Sequence, residues 1–185
     1  GTHDLNLLMK TIKKLKEKKF KTVFIPKFDK SSDDRFKKNK WQKIKKRPDI
    51  IILEGWCVGA RNQKKSELKS PLNYIEKKYD KNLSWRNTVN NYLKNKYKKL
   101  FKRIDKLIYL KAPNFNDIFR WRLLQEQKMK LTSKSKNTMS KTQVKEFIMF
   151  YERITKNMMR DFSKISDLTV FLDKSHRSKK IKFFN

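Results

Sequence analysis

The sequence predicts an α/β fold in which helices flank a mainly parallel sheet. Four short apolar runs, 22–25, 50–53, 107–110 and 168–172, have the continuous Ile, Val and Leu content of strands that are buried on both faces. The segments between them carry apolar residues at helical spacing. Helices that alternate with short buried strands are typical of this fold class. At 185 residues the chain is long enough for one domain, and we expect a single domain over 1–185.

Four helices are predicted in order along the chain. The first follows Asp4, the second opens near Ser84, and the third follows Asn114. The fourth follows Ser140, which forms a capping-box pattern with Gln143. Before this last helix, the stretch 132–142 is rich in Ser, Thr and Lys, and we expect it to be a mobile loop.

The formal net charge of +32 raises the question of a nucleic-acid partner. Only ten of the 50 basic residues are Arg, whereas base readout and two-point phosphate recognition favour Arg. Lysine is also spread over nearly every segment. We therefore interpret most of the charge as a solvated surface and expect no specific nucleic-acid partner. Binding to a polyanion or an anionic membrane surface stays open as an alternative.

The counts of cysteine and histidine indicate the compartment of the protein and exclude some kinds of site. Cys57 is the one cysteine, so the chain cannot form a disulfide framework, which fits a cytoplasmic protein. Two histidines with one cysteine cannot compose a structural zinc site. No apolar run has the length of a membrane span. We expect Cys57 to be a small buried residue rather than a nucleophile.

Charged residues follow the first two predicted strands, at the sheet edge where ligands bind in parallel α/β folds. Glu54 ends the second apolar run, as a carboxylate that presents charge to Mg²⁺ or its bound water does. After the first run, the segment 26–35 mixes carboxylates with Lys and Arg. Such a segment suits an anionic substrate and its metal, and a solvated turn is the equal alternative.

The third predicted helix carries Arg120 and Arg122, which lie two residues apart and cannot share a face. An arginine here could stabilise charge on a transferring phosphoryl group, with an ordinary amphipathic helix as the equal alternative. For Asp4, capping of the first helix is the favoured role. The tryptophans are expected in the core, although aromatics among lysines could stack on bases. They are Trp41, Trp56, Trp85 and Trp121.

Taken in order, several segments resemble the D-glycerate 3-kinase group of P-loop kinases, which is related to pantothenate, uridine and phosphoribulokinases. The resemblance covers essentially the whole chain, and the combination of EGW, FDKSSDDR and WRLLQE is specific. The matching segments are GTHDLNLL (1–8), IPKFDKSSDDR (25–35), DIIILEGWCVGAR (49–61), PLNYIEKKYD (71–80), SWRNTVNNYL (84–93), FRWRLLQE (119–126) and YERIT (151–155).

The resemblance implies a P-loop kinase that uses ATP and Mg²⁺ to phosphorylate a small acid such as D-glycerate. It places Glu54 at a Walker-B-like position that meets the metal, and Arg120 and Arg122 in a lid. It further implies that a substrate-binding set is formed by His3, Asp4, Asp29, Lys30, Asp34 and Arg35.

The GxxxxGK[ST] loop of such kinases is absent from these 185 residues. Without its backbone N–H groups and its Lys, the β and γ phosphates have no cradle. We therefore expect a fold that is incomplete at the N-terminus, with the chain as the C-terminal two-thirds of a kinase that is inactive alone. The alternative is a non-catalytic basic module on a kinase-like scaffold that binds nucleic acid or an anionic surface.

Overall fold

A computed structural model describes residues 3–29, 34–132 and 138–184 of the protein. The chain falls into two compact units, Gly1–Glu54 and Gly55–Asn185, which are described separately. Within the described residues, no helix is long and apolar enough to cross a membrane.

In its described residues, 3–29 and 34–54, the first unit is built from one helix and two small antiparallel strand pairs. Helix α1 spans Leu5–Lys16 and packs on β1 (Val23–Ile25). Strand β1 pairs with β4 (Gln42–Ile44), and β2 (Phe28–Asp29) pairs with β3 (Asp34–Arg35). A short 3-10 turn covers Lys38–Lys40. The buried core of this unit consists of Leu5, Thr11, Ile12, Leu15 and Val23.

Two predictions for this unit need correction. The strand expected at 22–25 forms, but it pairs antiparallel with β4 instead of joining a parallel sheet with the other predicted strands. The prediction of a strand at 50–53 is wrong, because these residues are not in a strand. Ile50 and Ile52 are 78% and 86% exposed. An apolar run becomes a strand only where a neighbouring strand pairs with its backbone, and no described residue does so.

The second unit contains a three-stranded sheet in the order β5–β6–β7. Strand β5 (Ile108–Lys111) runs parallel to β6 (Leu168–Leu172), which confirms two of the predicted strands and their direction. Strand β7 (Ser178–Phe183) adds antiparallel to β6 and was not predicted, since its Lys-rich sequence gives no apolar run.

The long helices of the second unit lie at the predicted places along the chain. The helix expected near Ser84 comprises α4 (Ser84–Tyr92), a π-helical turn (Leu93–Tyr97) and α5 (Lys98–Phe101). Helix α6 spans Phe115–Thr132, and α7 spans Lys141–Asp161, followed by a 3-10 turn at Phe162–Lys164. Two short helices, α2 (Lys65–Lys69) and α3 (Tyr74–Tyr79), were not predicted.

Polar side chains fix where the long helices begin. Ser140 and Gln143 form the predicted capping box at the start of α7. Asn114 accepts a hydrogen bond from the backbone N–H of Asp117 at 2.9 Å, as an N-cap residue does, so α6 starts where predicted. Within the expected mobile loop 132–142, residues 133–137 lie outside the described residues, and α7 already begins at Lys141.

Candidate functional site

Asp4 and Arg35 come from two motifs that are 31 residues apart, and the fold of the first unit brings them together. Arg35 Nη1 lies 3.0 Å from Asp4 Oδ2. The other carboxylate oxygen of Asp4 accepts the backbone N–H of Leu7 at 3.0 Å and caps α1, as predicted. This backbone hydrogen bond, with the contact to Arg35, lowers the pKa of Asp4 below its usual value. Asp4 is therefore an ionised carboxylate held at the start of a helix.

The β2–β3 hairpin carries two further members of the predicted substrate-binding set, whereas His3 directly precedes Asp4 at the start of α1, where its carbonyl accepts the N–H of Leu5 at 2.9 Å. Asp29 and Asp34 are directly opposite each other in the strand register. Side chains at opposed positions of antiparallel strands point to the same face. The Asp34 carboxylate accepts the backbone N–H of Arg35 at 2.6 Å. The hairpin thus presents two carboxylates next to Arg35, while Lys30 lies outside the described residues.

Glu54 ends the first unit and has an exposed side chain. Among the described residues, no hydrogen bond or ion pair occupies its carboxylate. Mg²⁺ in kinases keeps several waters and binds one or two carboxylates together with substrate phosphates. In the described part of the chain, no group of three His, Cys, Asp or Glu side chains is arranged as a metal cage. A lone accessible carboxylate fits this hydrated mode of Mg²⁺ binding.

The two arginines of α6 differ in their surroundings, as expected from their spacing. Arg122 forms an ion pair with the buried Glu126 and a 3.1 Å hydrogen bond with Gln125. Its guanidinium also lies 5.4 Å from the centre of the Phe147 ring. Arg120 is 63% exposed and contacts Asp117 at 3.1 Å. Arg122 is therefore held by neighbouring side chains, and Arg120 is the more solvent-accessible of the two.

The segment that follows Glu54 is fixed by a tight turn at Gly59 and by two hydrogen bonds between Asn90 and Gln63. Gly59 has φ of +81°, a conformation that favours glycine. A Cβ there would lie 2.6 Å from the Phe162 ring. Farther on, Asn90 of α4 bonds to Gln63 twice, accepting its N–H at 2.7 Å and donating to its carbonyl at 3.1 Å. The segment after Glu54 is thereby held against the second unit's own helices.

Cys57 is buried beside this turn, as predicted. Burial raises the pKa of its thiol, which keeps the thiol protonated and unreactive at neutral pH. The structure gives it no role in a site.

The expectation for the tryptophans is wrong. Trp56 and Trp85 are 44% and 47% exposed, and Trp41 and Trp121 are only partly buried. The indole N–H groups of the last two donate to the carbonyls of Phe36 at 2.7 Å and Lys174 at 2.9 Å. Indole needs a partner for this polar group, which holds these rings near the surface. Trp56 packs edge-on against Tyr151 with ring centres 4.9 Å apart.

Sequence reasoning missed a buried network of two carboxylates and two arginines. Arg86 Nε lies 2.8 Å from Asp80 Oδ2, and Arg153 contacts Glu76 through two nitrogens. Asp80 and Arg86 are 1% and 6% exposed. Burial alone would raise the pKa of Glu76 and of Asp80, but the arginine contacts and backbone N–H bonds lower both below their usual values.

All four members of this network lie in segments that carry the resemblance: PLNYIEKKYD, SWRNTV and YERIT. Their charges satisfy one another, and in the described residues no buried side-chain polar atom lacks a hydrogen-bond partner. These motif residues therefore stabilise the fold. The sequence signal existed as charged residues at helix ends, but no periodicity pairs residues that are 77 positions apart.

The chain is similar to several kinases. It is 31% identical over 168 residues to the protein named uncharacterized kinase mug58 of Schizosaccharomyces pombe, covering 82% of this chain and 54% of that protein. It is 26% identical over 157 residues to the chloroplastic D-glycerate 3-kinase of Arabidopsis thaliana, covering 82% of this chain and 32% of the plant enzyme. No protein-family model matches the sequence.

A solved structure of D-glycerate 3-kinase from Cryptococcus neoformans superposes with a TM-score of 0.79 at 22% identity. The match covers 100% of this chain and 68% of the fungal enzyme. This likeness in fold confirms the predicted α/β class of P-loop kinase type. The chain spans about half the length of the fission-yeast relative and a third of the plant relative.

Proposed function

Because the chain belongs to the D-glycerate 3-kinase family, we propose that it forms the substrate and lid portion of an ATP-dependent kinase that phosphorylates D-glycerate to a phosphoglycerate. The protein then acts in the cytoplasm on a small acid and ATP. No GxxxxGK[ST] loop is found in the 185 residues, so the phosphates of ATP need a cradle that these residues do not supply.

The observation that supports this function most is the pairing of Asp4 with Arg35. It joins the HD motif to the DDR motif, the two segments whose resemblance implies substrate binding. Arg35 uses Nη1 for Asp4, and a guanidinium has five N–H donors in all. Its other donors can bind a carboxylate such as that of D-glycerate. Asp4 holds the Arg35 side chain in place for this contact.

Asp29 and Asp34 lie next to that arginine on the hairpin. Carboxylates accept hydrogen bonds from hydroxyl groups, and D-glycerate carries two hydroxyls beside its carboxylate. In the proposed site Arg35 binds the acid group while a hairpin carboxylate orients a hydroxyl. His3 and Lys30 complete the substrate-binding set by resemblance to the family.

Glu54 serves the nucleotide side of the proposed reaction. When bound, Mg²⁺ neutralises the β and γ phosphates and the charge that develops as the phosphoryl group is transferred. The accessible Glu54 carboxylate would hold the metal, directly or through water. Arg120, exposed on α6, would meet the transferring phosphoryl oxygens. Arg122 would fix the position of α6 through Glu126.

The acceptor can be tested with the full-length protein, ATP and Mg²⁺ against D-glycerate, pantothenate, uridine and ribulose 5-phosphate. We expect ADP release that depends on D-glycerate, and on no other acceptor in this set. If ADP release depended on a different acceptor, the protein would still be a kinase, but its substrate would not be D-glycerate. The chain 1–185 assayed alone should release no ADP, because it has no phosphate cradle.

A further inference from the structure

The second unit has an exposed aromatic surface that the proposed kinase reaction does not use. It consists of Tyr74 and Tyr79 on α3, Trp85 on α4 and Phe150 on α7, each between 47% and 59% exposed. Ring centres of Tyr79 and Trp85 are 6.4 Å apart, as are those of Trp85 and Phe150. Contiguous exposed apolar surface of this kind marks interaction sites in soluble proteins.

A cavity of about 310 Å³ opens between the same helices. Trp85, Val89 and Phe150 line it and are also solvent-exposed, so they form its mouth. Five apolar residues line its interior beside a comparable number of polar side chains. They are Leu68, Ile75, Leu93, Met149 and Ile154. A pocket rimmed by aromatic rings is the form in which protein interfaces bind one large apolar side chain as an anchor.

The charged groups in the cavity wall are already paired with one another. Glu76 is bound by Arg153, and Asp80 by Arg86. No buried polar side-chain atom of the described residues is left without a partner. A nucleobase that entered would meet charged groups that are already paired, so most of its polar edge would lack hydrogen bonds, which is costly. An apolar side chain meets no such cost, so the cavity favours an aliphatic or aromatic anchor over a base.

The exposed charge beside the aromatic surface is positive. In segment 74–81 both acids are buried and ion-paired, so the charges that reach solvent are Lys77, Lys78 and Lys81. The ammonium of Lys78 lies 5.4 Å from the Tyr74 ring and 5.0 Å from the Tyr79 ring. On α7 the exposed Lys145 and Glu146 cancel. A partner that is attracted here carries negative charge.

We propose that the cavity and the aromatic surface bind an acidic protein segment that inserts one bulky apolar side chain. The anchor enters past Trp85, Val89 and Phe150, while its flanking carboxylates meet Lys77, Lys78 and Lys81. The site lies outside the residues assigned to phosphoryl transfer, and it recruits a partner to the kinase.

The test uses the full-length protein and a short fluorescein-labelled peptide of Asp, Glu and Ser with one central Leu. A matched peptide has Ser in place of the Leu. Fluorescence anisotropy should show the Leu peptide binding at least about tenfold more tightly, since burial of a Leu side chain is worth more than that factor. Equal affinities of the two peptides would overturn the proposal, because binding would then be Coulombic only.

Two pairs of variants distinguish insertion of the Leu side chain from non-specific attraction between the acidic peptide and the basic protein. Val89→Asp at the mouth should abolish the preference for Leu, whereas the exposed Asn87→Asp should retain it. Lys77→Glu with Lys78→Glu should weaken the Leu peptide at least about tenfold. Lys179→Glu with Lys182→Glu, on β7, changes the net charge equally and should have little effect. If both double substitutions weakened peptide binding equally, the aromatic surface would not be the binding site.

Other occupants give different results. A labelled oligo(dT) that depends on Trp85 and Phe150 more than the peptide does would make the surface a stacking platform for single strands. Self-association that Val89→Asp abolishes would make it a contact between two copies of the chain. Either outcome overturns the proposal.

Discussion

Arg153 on α7 and Glu76 on α3 form a two-point ion pair, with Nε 2.7 Å from Oε1 and Nη2 2.6 Å from Oε2. Arg153 also donates from Nη1 to the carbonyl of Glu67 at 2.9 Å. Such planar pairing gives both strength and a fixed orientation. One arginine thus joins α7 to both α2 and α3.

Loss of this arginine should destabilise the fold strongly. Arg153→Met removes the two-point partner of the buried Glu76 carboxylate and leaves only Arg86, 3.9 Å away, so we expect the free energy of unfolding to fall by about 3 kcal/mol. Arg160→Met is the control, because Arg160 lies on the same helix but its ion pairs are exposed; it should cost less than about 1 kcal/mol. Urea unfolding followed by circular dichroism measures both. Equal losses would mean that burial of the pair carries no weight.

Stability should also fall in acid because of the same network. The pKa of Glu76 and that of Asp80 are lowered in the folded protein, so the folded state binds fewer protons than the unfolded state near pH 4. Their contribution is complete above the unfolded pKa of about 4 and is lost as pH falls through the folded values. Urea midpoints between pH 7 and 3 should decline for the wild type and decline less for Glu76→Gln. Parallel curves would exclude Glu76 as a source of the acid sensitivity.

Gly59 should not accept a side chain. At φ of +81° an alanine is strained, and its Cβ would meet the Phe162 ring at 2.6 Å. We expect Gly59→Ala to lower the free energy of unfolding by at least about 2 kcal/mol. In Gly55→Ala the new Cβ would lie 3.2 Å from a Val58 methyl group that can move, so a loss below about 1 kcal/mol is expected. Thermal unfolding compares the two, and a neutral Gly59→Ala would contradict the described turn.

The sequence predicted those elements that local chemistry determines. Caps at Asp4, Asn114 and Ser140 set the helix starts, and apolar runs gave β5 and β6. The sequence did not predict features that depend on a contact with a residue distant in the chain. The run 50–53 lacks a strand to pair with among the described residues, and the pairing of Glu76 with Arg153 joins positions that no local pattern relates. For the candidate site, motifs indicated Asp4 and Arg35 separately, and only the fold shows that they touch.

Substitution of the two arginines of α6 should affect different properties, kcat for Arg120 and thermal stability for Arg122. In the full-length protein we expect Arg120→Ala to lower kcat at least about 100-fold, because Arg120 is exposed and would meet developing charge. Its loss of stability should be the smaller of the two, since the buried Asp117 carboxylate keeps its hydrogen bond from Asn114 at 2.8 Å. Arg122→Ala should instead lower the melting temperature, since it leaves the buried Glu126 carboxylate unpaired. Steady-state kinetics and thermal unfolding of both variants decide this. An active Arg120→Ala would assign the catalytic arginine elsewhere.

Glu54 is proposed as the metal-binding carboxylate of a glycerate-type kinase, and the substitution Glu54→Gln tests this role. The substitution keeps the size of the side chain and removes its charge. With the full-length protein, ATP, Mg²⁺ and D-glycerate, phosphoglycerate formation can be followed by ³¹P NMR and ATP affinity by calorimetry. We predict that kcat falls about 100- to 1,000-fold while the Kd for ATP changes little. Turnover of Glu54→Gln at the wild-type rate would show that Glu54 does not hold the metal of the reaction.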